Sequence, residues 1–209
     1  MAERLELEFS NDRPSLAAAA DVNAALAEVG AGIWRLDLAG TEDDVRELLA
    51  QPTVTDAQVA HLRTHFLLPR ERLLEIIAAA AGRTPHVAGG GELSTFVTNE
   101  GYSYPQLWVV QGATDFARFE RFHVNVSDDG IGVDEVLQIL SGAGVVIRLR
   151  QRGGDVLTLS VDCPKEGSGW LLTYDGGKPH IGSLAGATPG TKVLAQVIGP
   201  PRWAIRYDV

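Results

Sequence analysis

From Gly91 onward, short runs rich in Val, Ile, Leu and aromatic residues alternate with clusters of Gly, Asp and Pro, the texture of a chain of short strands and turns. The runs predict strands near Leu93 to Thr98, Gln106 to Val110, Phe119 to Val126, Val133 to Leu140, Val145 to Leu149, Val156 to Val161, Trp170 to Thr173, Val193 to Ile198 and Trp203 to Tyr207. Many short strands at even spacing fit a sandwich or barrel, which leaves few sheet edges open. The first third reads as helical. Ser15 can cap an Ala-rich segment running to Val29, which Gly30 and Gly32 stop. A short apolar piece, Ile33 to Leu38, follows. Thr41 with Asp44 resembles a capping box ahead of Val45, Leu48 and Leu49, Thr55 or Asp56 can begin another helix, and Pro69 sets off Arg70 to Ala81, closed by Gly82. The pattern predicts a mainly β protein in which a helical N-terminal region, residues 1–88, packs on or caps a β-domain, residues 89–209. Gly89, Gly90 and Gly91 lack the Lys and Ser/Thr of a phosphate loop and read as a hinge between the two.

Composition narrows the class. With 209 residues, 45% hydrophobic and 22% charged, the chain can bury a core of its own. A net charge of −9 argues against nucleic acid, whose phosphates demand a dense basic surface. No apolar run approaches bilayer length, and the segment from Met1 to Pro14 is acidic-polar, so no membrane is expected and the cytoplasm is the expected compartment. The single cysteine, Cys163, rules out an internal disulfide framework and a cysteine-based metal cluster. Any metal must then be held by carboxylates and by some of the five histidines.

The segment Phe119 to Val126 alternates cleanly, with Phe119, Arg121, His123 and Asn125 on one face and Glu120, Phe122, Val124 and Val126 on the other. A polar face turned into a small barrel is stable only if its groups meet a ligand, a metal or one another. That face is the first candidate site.

Here the chain resembles the cupin superfamily, whose first motif reads G-x5-H-x-H-x3,4-E-x6-G and whose second reads G-x5-P-x-G-x2-H-x3-N. The first appears as His123-Val124-Asn125, then Glu135, then Gly142 after six intervening residues. The second appears as Gly169, Asp175 in place of proline, Gly177, and His180 after two further residues. The second histidine of the first motif is Asn125 here, and Ser127-Asp128-Asp129-Gly130 inserts a turn before the glutamate. Leu184 stands where the second motif has asparagine, and position 117 is Ala rather than Gly.

The resemblance implies a cupin-type double-stranded β-helix, or jelly-roll, barrel with one divalent metal on His123, Glu135 and His180. Two imidazoles and a carboxylate are the set that holds non-haem Fe(II) and leaves coordination positions open. The expected activity is a mononuclear Fe(II) oxygenase or dioxygenase that takes O2 and a small polar, metal-chelating molecule. Zn, Mn, Ni or Cu are the other occupants such ligands accept, and a homodimer is the expected assembly. Asn125 is a catalytic candidate as a fourth ligand or as an orienting group, and Arg121 as a bidentate partner for a substrate carboxylate or phosphate. A salt bridge from Arg121 to a nearby acid is the competing reading. A redox-neutral isomerase or lyase uses the same ligands, a non-catalytic binding cupin needs no metal at all, and a 2-oxoglutarate enzyme would draw on Lys192.

Other residues carry less. His61 and His65, at i and i+4 on a helix, could share a metal but read as a solvated face. Tyr102, Tyr104, Trp108, Trp170 and Tyr174 could line an aromatic pocket but read as core by default, and Cys163 reads as an inert thiol.

Overall fold

Alternation decides which side of each strand is buried, and it builds two layers. In the computed structural model, which describes residues 3–81, 97–111, 121–163 and 167–207, the strands are β1 (Arg4–Phe9), β2 (Gly32–Asp37), β3 (Gln106–Val109), β4 (His123–Val126), β5 (Asp134–Ser141), β6 (Val145–Arg150), β7 (Val156–Asp162), β8 (Ser168–Asp175), β9 (His180–Ser183), β10 (Lys192–Ile198) and β11 (Ala204–Tyr207). They form a six-stranded sheet, β1-β7-β6-β9-β4-β11, and a five-stranded sheet, β2-β8-β5-β10-β3. Neighbours pair antiparallel throughout. The sheets enclose one main core, with Leu7, Ile147 and Leu159 from the first meeting Ile33, Ile139 and Leu172 from the second. This is a jelly-roll sandwich, mainly β with an N-terminal helical part. It does not close into a continuous barrel.

The helices are α1 (Ala19–Ala27), α2 (Asp43–Ala50), α3 (Asp56–His65) and α4 (Arg70–Ala81). Leu73, Ile76 and Ile77 of α4 pack on Val136, Leu171 and Ile198, the outward residues of β5, β8 and β10. Val45, Leu62 and Phe66 of the α2–α3 region cover Leu107, Leu140 and Leu194 beside them. The central strands of the five-stranded sheet are therefore buried on both faces, which explains why they read as continuous apolar runs. Two outward glutamines bind the linker before α4: Gln138 Nε2 donates to Phe66 O at 2.6 Å, and Gln196 Nε2 donates to Leu68 O at 3.0 Å.

Several expectations change. The N-terminal third is not wholly helical, because β1 pairs with β7 and β2, the expected apolar piece, pairs with β8. Strands from both sides of residue 88 thus share both sheets. The Thr41–Asp44 box does not form, since α2 starts from Glu42 without a side-chain cap, whereas Thr55 makes a full capping box with Gln58. Helix α1 starts from Ala18, not Ser15. The boundary at 88/89, Gly82, the Gly89 to Gly91 hinge, most of the Leu93 to Thr98 strand, and Phe119 with Glu120 lie outside the described residues. Among the described residues no helix is long and apolar enough to cross a membrane.

Lys192 is wholly buried and donates to Leu49 O at 3.1 Å, Gln51 O at 2.7 Å and Gly190 O at 3.0 Å. It ties the C-terminal end of α2, where the helix dipole favours a cation, to the edge of the β-sandwich. Burial draws its ammonium down to about 8. Lys192→Met removes the ammonium from the Leu49 and Gln51 carbonyls, while Gly190 O keeps the Ser141 hydroxyl as donor. We expect it to lower unfolding free energy by about 2–4 kcal/mol, read from the urea midpoint at pH 7.

Candidate functional site

Both sheets contribute to one polar cluster. Glu135 on β5 and its cross-strand partner Tyr174 on β8 face inward from the five-stranded sheet. His123 and Asn125 on β4, with His180 on β9, face them from the six-stranded sheet, where His123 and His180 form the single pairing between β4 and β9. The expected turn between Asn125 and Glu135 is present: Gly130 N donates to Ser127 O at 3.0 Å, and Gly130 takes a φ of 76° that suits glycine. Backbone bonds then lock the neighbourhood, with Asn125 N donating to Gly176 O at 2.7 Å and Gly176 N to Val133 O at 2.8 Å. A Cβ on Gly176 would stand 2.6 Å from Glu135 Oε1, so only glycine admits the carboxylate there.

The side chains are held as a network. Glu135 Oε1 accepts from Asn125 Nδ2 at 2.5 Å and lies 3.2 Å from His180 Nε2, while Oε2 accepts from the Tyr174 hydroxyl at 2.9 Å. His180 Nδ1 lies 2.8 Å from Lys178 O and His123 Nδ1 lies 3.3 Å from Arg121 O. A carbonyl can only accept, so both Nδ1 atoms carry hydrogen and each Nε2 faces elsewhere. The two imidazoles stand 4.3 Å apart, centroid to centroid. Asn125 is fixed by its bond to Glu135, since exchanging its amide ends would set oxygen against carboxylate. Its Oδ1 is left buried with no hydrogen-bond partner.

Charge follows from this geometry. Burial pushes the Glu135 carboxyl upward, but the His180 charge and hydrogen bond, with His123 and Asn125, outweigh it and hold the group below the usual carboxylate range. Burial opposes charge on His180 as well, and Glu135 reverses that, raising His180 above an ordinary histidine. Burial and the nearby His180 push His123 down to about 4. The surroundings thus favour charge on Glu135 and His180, 3.2 Å apart, and disfavour it on His123.

A metal must be judged against these donors. Ligands at 2.0–2.2 Å around one ion sit roughly 3 Å from their neighbours, and His180 Nε2 with Glu135 Oε1 matches that spacing at 3.2 Å. The unpartnered Asn125 Oδ1 is a further oxygen donor in the same cluster. Among the described residues, however, no three His, Cys, Asp or Glu side chains are grouped so as to hold a metal ion. The structure brings Glu135, His180 and Asn125 together and sets His123 beside them without closing a three-ligand group. The donor types fit a divalent ion.

The cluster floors a cavity with about 40 Å³ open to water centres. Aliphatic and aromatic groups, among them Trp108, Leu137, Val145, Ile147 and Val193, form its walls. Tyr104 and Tyr174, read from sequence as core, line it as well. The bond from Tyr174 to Glu135 depends on the β5–β8 register, which the sequence does not show. The remaining candidates stand elsewhere. Arg121 precedes β4, is exposed, and lays its guanidinium 4.5 Å over the Tyr207 ring instead of lining the cavity. Lys192 is committed to the α2 carbonyls. His61 and His65 are surface groups on α3, with His61 3.8 Å from Asp44. Cys163 is buried, donates to Ile139 O at 3.2 Å, and is pushed by burial up to about 12, as an inert thiol should be.

Two outcomes are expected of the metal-free protein. Because His123 is held neutral when folded and takes a proton when unfolded, its contribution is intact above about pH 6.5 and lost as pH falls toward 4, by about 3 kcal/mol. Urea titrations across that window should show a shallower loss for His123→Asn than for the unaltered protein. Gly176→Ala should displace the Glu135 carboxylate and lower stability by about 1–3 kcal/mol, read as a drop in thermal midpoint.

No family model matches the sequence, and no curated protein matches it. A solved structure titled acireductone dioxygenase from Bacillus anthracis with cadmium ion in active center superposes with a TM-score of 0.58 at 13% identity, covering 97% of this chain and 97% of that one. At that identity the likeness is one of fold, and it extends over both the helical N-terminal part and the sheets: the chain has a cupin-type jelly-roll architecture along its described length.

Proposed function

We propose that this chain is a metal-dependent cupin enzyme of the oxygenase type, acting on a small metal-chelating molecule with O2, with His123, Glu135 and His180 as the ligand set and Fe(II) as the metal. The observation that carries the reading is a buried carboxylate, Glu135, with the His180 imidazole 3.2 Å from its Oε1 and the His123 ring beside His180, at the floor of a cavity. Whole-chain likeness to a dioxygenase structure that holds cadmium in its active centre supports it at the level of fold.

A divalent ion held by these residues would supply Lewis-acid chemistry and, if iron, redox chemistry with O2. The chain's own groups prepare that chemistry. Lys178 O and Arg121 O fix the imidazole tautomers, the outer support that ligating histidines ordinarily require. Tyr174 holds Glu135 by donating to Oε2, with Oε1 turned toward Asn125 and His180. To hold the ion His180 would present an unprotonated Nε2, because a ligating imidazole is neutral. Asn125 orients Glu135 through Nδ2.

A second reading has its own observation. Glu135 and His180 already meet each other and among the described residues no three-ligand group is closed, which suits a binding cupin that carries no metal. Anaerobic reconstitution with Fe(II) followed by metal analysis separates the two. We expect one equivalent per chain, an affinity at least about 100-fold lower for Glu135→Ala, and about 10-fold lower for Tyr174→Phe. Failure of the unaltered protein to take up stoichiometric metal leaves the binding cupin. Turnover that persists without oxygen assigns the chemistry to a redox-neutral isomerase or lyase.

A further inference from the structure

Glycine weakens a strand, because it loses the most conformational freedom on folding and packs no side chain. It is expected there when a positive φ, a bulge or a close backbone leaves no room for a Cβ. Gly169 in β8 is of that kind, since a Cβ on it would run into the Ile139 carbonyl. Gly182, in the four-residue strand β9, is not. Its φ lies outside the left-handed region, and it pairs with Ile147 in unbroken register. Among the described residues a Cβ at this position would meet only Ile147 Cδ1, at 3.5 Å, an ordinary contact. With turn, bulge and close backbone set aside, the remaining role of a strand glycine is to let a ligand approach.

Gly182 stands where such a ligand would lie. It shares the inward face of β9 with His180, about 6.5 Å further along the strand, and lines the cavity above the Glu135 cluster. Leu137, Val145, Ile147, Leu184 and Val193 line the same space. On the reading of this cavity as the ligand site, we propose that Gly182 is a specificity-determining residue: the apolar body of the ligand packs on the bare β9 backbone there, while its polar end meets the cluster. The contact at Gly182 is the same whatever the charge on the cluster and whether or not an ion occupies it. A side chain at 182 takes the place of the ligand body without striking protein backbone, and a larger one takes more of it.

The probe is phenol, an apolar ring with one polar end, titrated by calorimetry into chelator-treated full-length protein, so that metal uptake and this contact are read separately. The Gly182 amide signal is followed by NMR in the same titration. Gly182→Ala should fold with a thermal midpoint no lower than that of the unaltered protein. Phenol should shift the Gly182 amide, bind Gly182→Ala about fourfold more weakly, the equivalent of one lost methylene contact, and bind Gly182→Leu at least about tenfold more weakly. Phenol that fails to bind the unaltered protein at millimolar concentration, that leaves the Gly182 amide unmoved, or that binds Gly182→Ala undiminished overturns the proposal. So does a Gly182→Ala protein that does not fold, since glycine would then be a requirement of the strand. If only Gly182→Leu fails to fold, Gly182→Ala decides the matter alone. A chain that takes up no metal yet binds phenol over Gly182 retires the enzyme and supports this contact.

Discussion

A carboxylate buried between two sheets must be answered from both of them, and Glu135 sets that demand here. It is 3% exposed, and its oxygens are met by Tyr174 from its own sheet and by Asn125 and His180 from the other. Removing one partner of such a pair costs about 3–5 kcal/mol, because the other is left charged and unpaired. The network is thus a polar stitch across the sandwich at the place where β4 and β9 touch through only the His123–His180 pair. The same groups that close the sheets form the candidate site.

The helical layer makes this arrangement tenable. With α4 and the α2–α3 region covering the outer face of the five-stranded sheet, β5 is packed on both sides, and Glu135 projects from a strand that has no freedom to shift. Val136 and Gln138, the outward neighbours of Glu135 and Leu137, are bound by α4 and by the linker before it. Lys192 adds an anchor by holding the end of α2 to β10. The N-terminal part also supplies β1 and β2 to the sheets themselves, so helices and strands support the site as one framework.

The cations that sequence alone could nominate for an anionic ligand, Arg121 and Lys192, are used in stacking and in helix capping. What lines the cavity is the Glu135, His123, His180 and Asn125 cluster with Ser183, Tyr104 and Tyr174 among aliphatic groups.

The sequence by itself determined much of this protein. Alternation and turn residues marked most of the later strands, and the Glu135-to-Gly142 and Gly177-to-His180 spacings singled out groups that meet in space. The inserted Ser127–Gly130 turn and the inert Cys163 were legible because each depends on local chemistry. What only the tertiary structure decided is everything that rests on register and partnership. Strand β9 has four residues and exists through its pairing with β6, and β1 through its pairing with β7. Tyr174 became a site residue because it lies opposite Glu135, and Arg121 left the inward face because β4 begins at His123. Periodicity tells which residues share a face of one strand. It does not tell which strand that face will meet, and the chemistry of this site arises at that meeting.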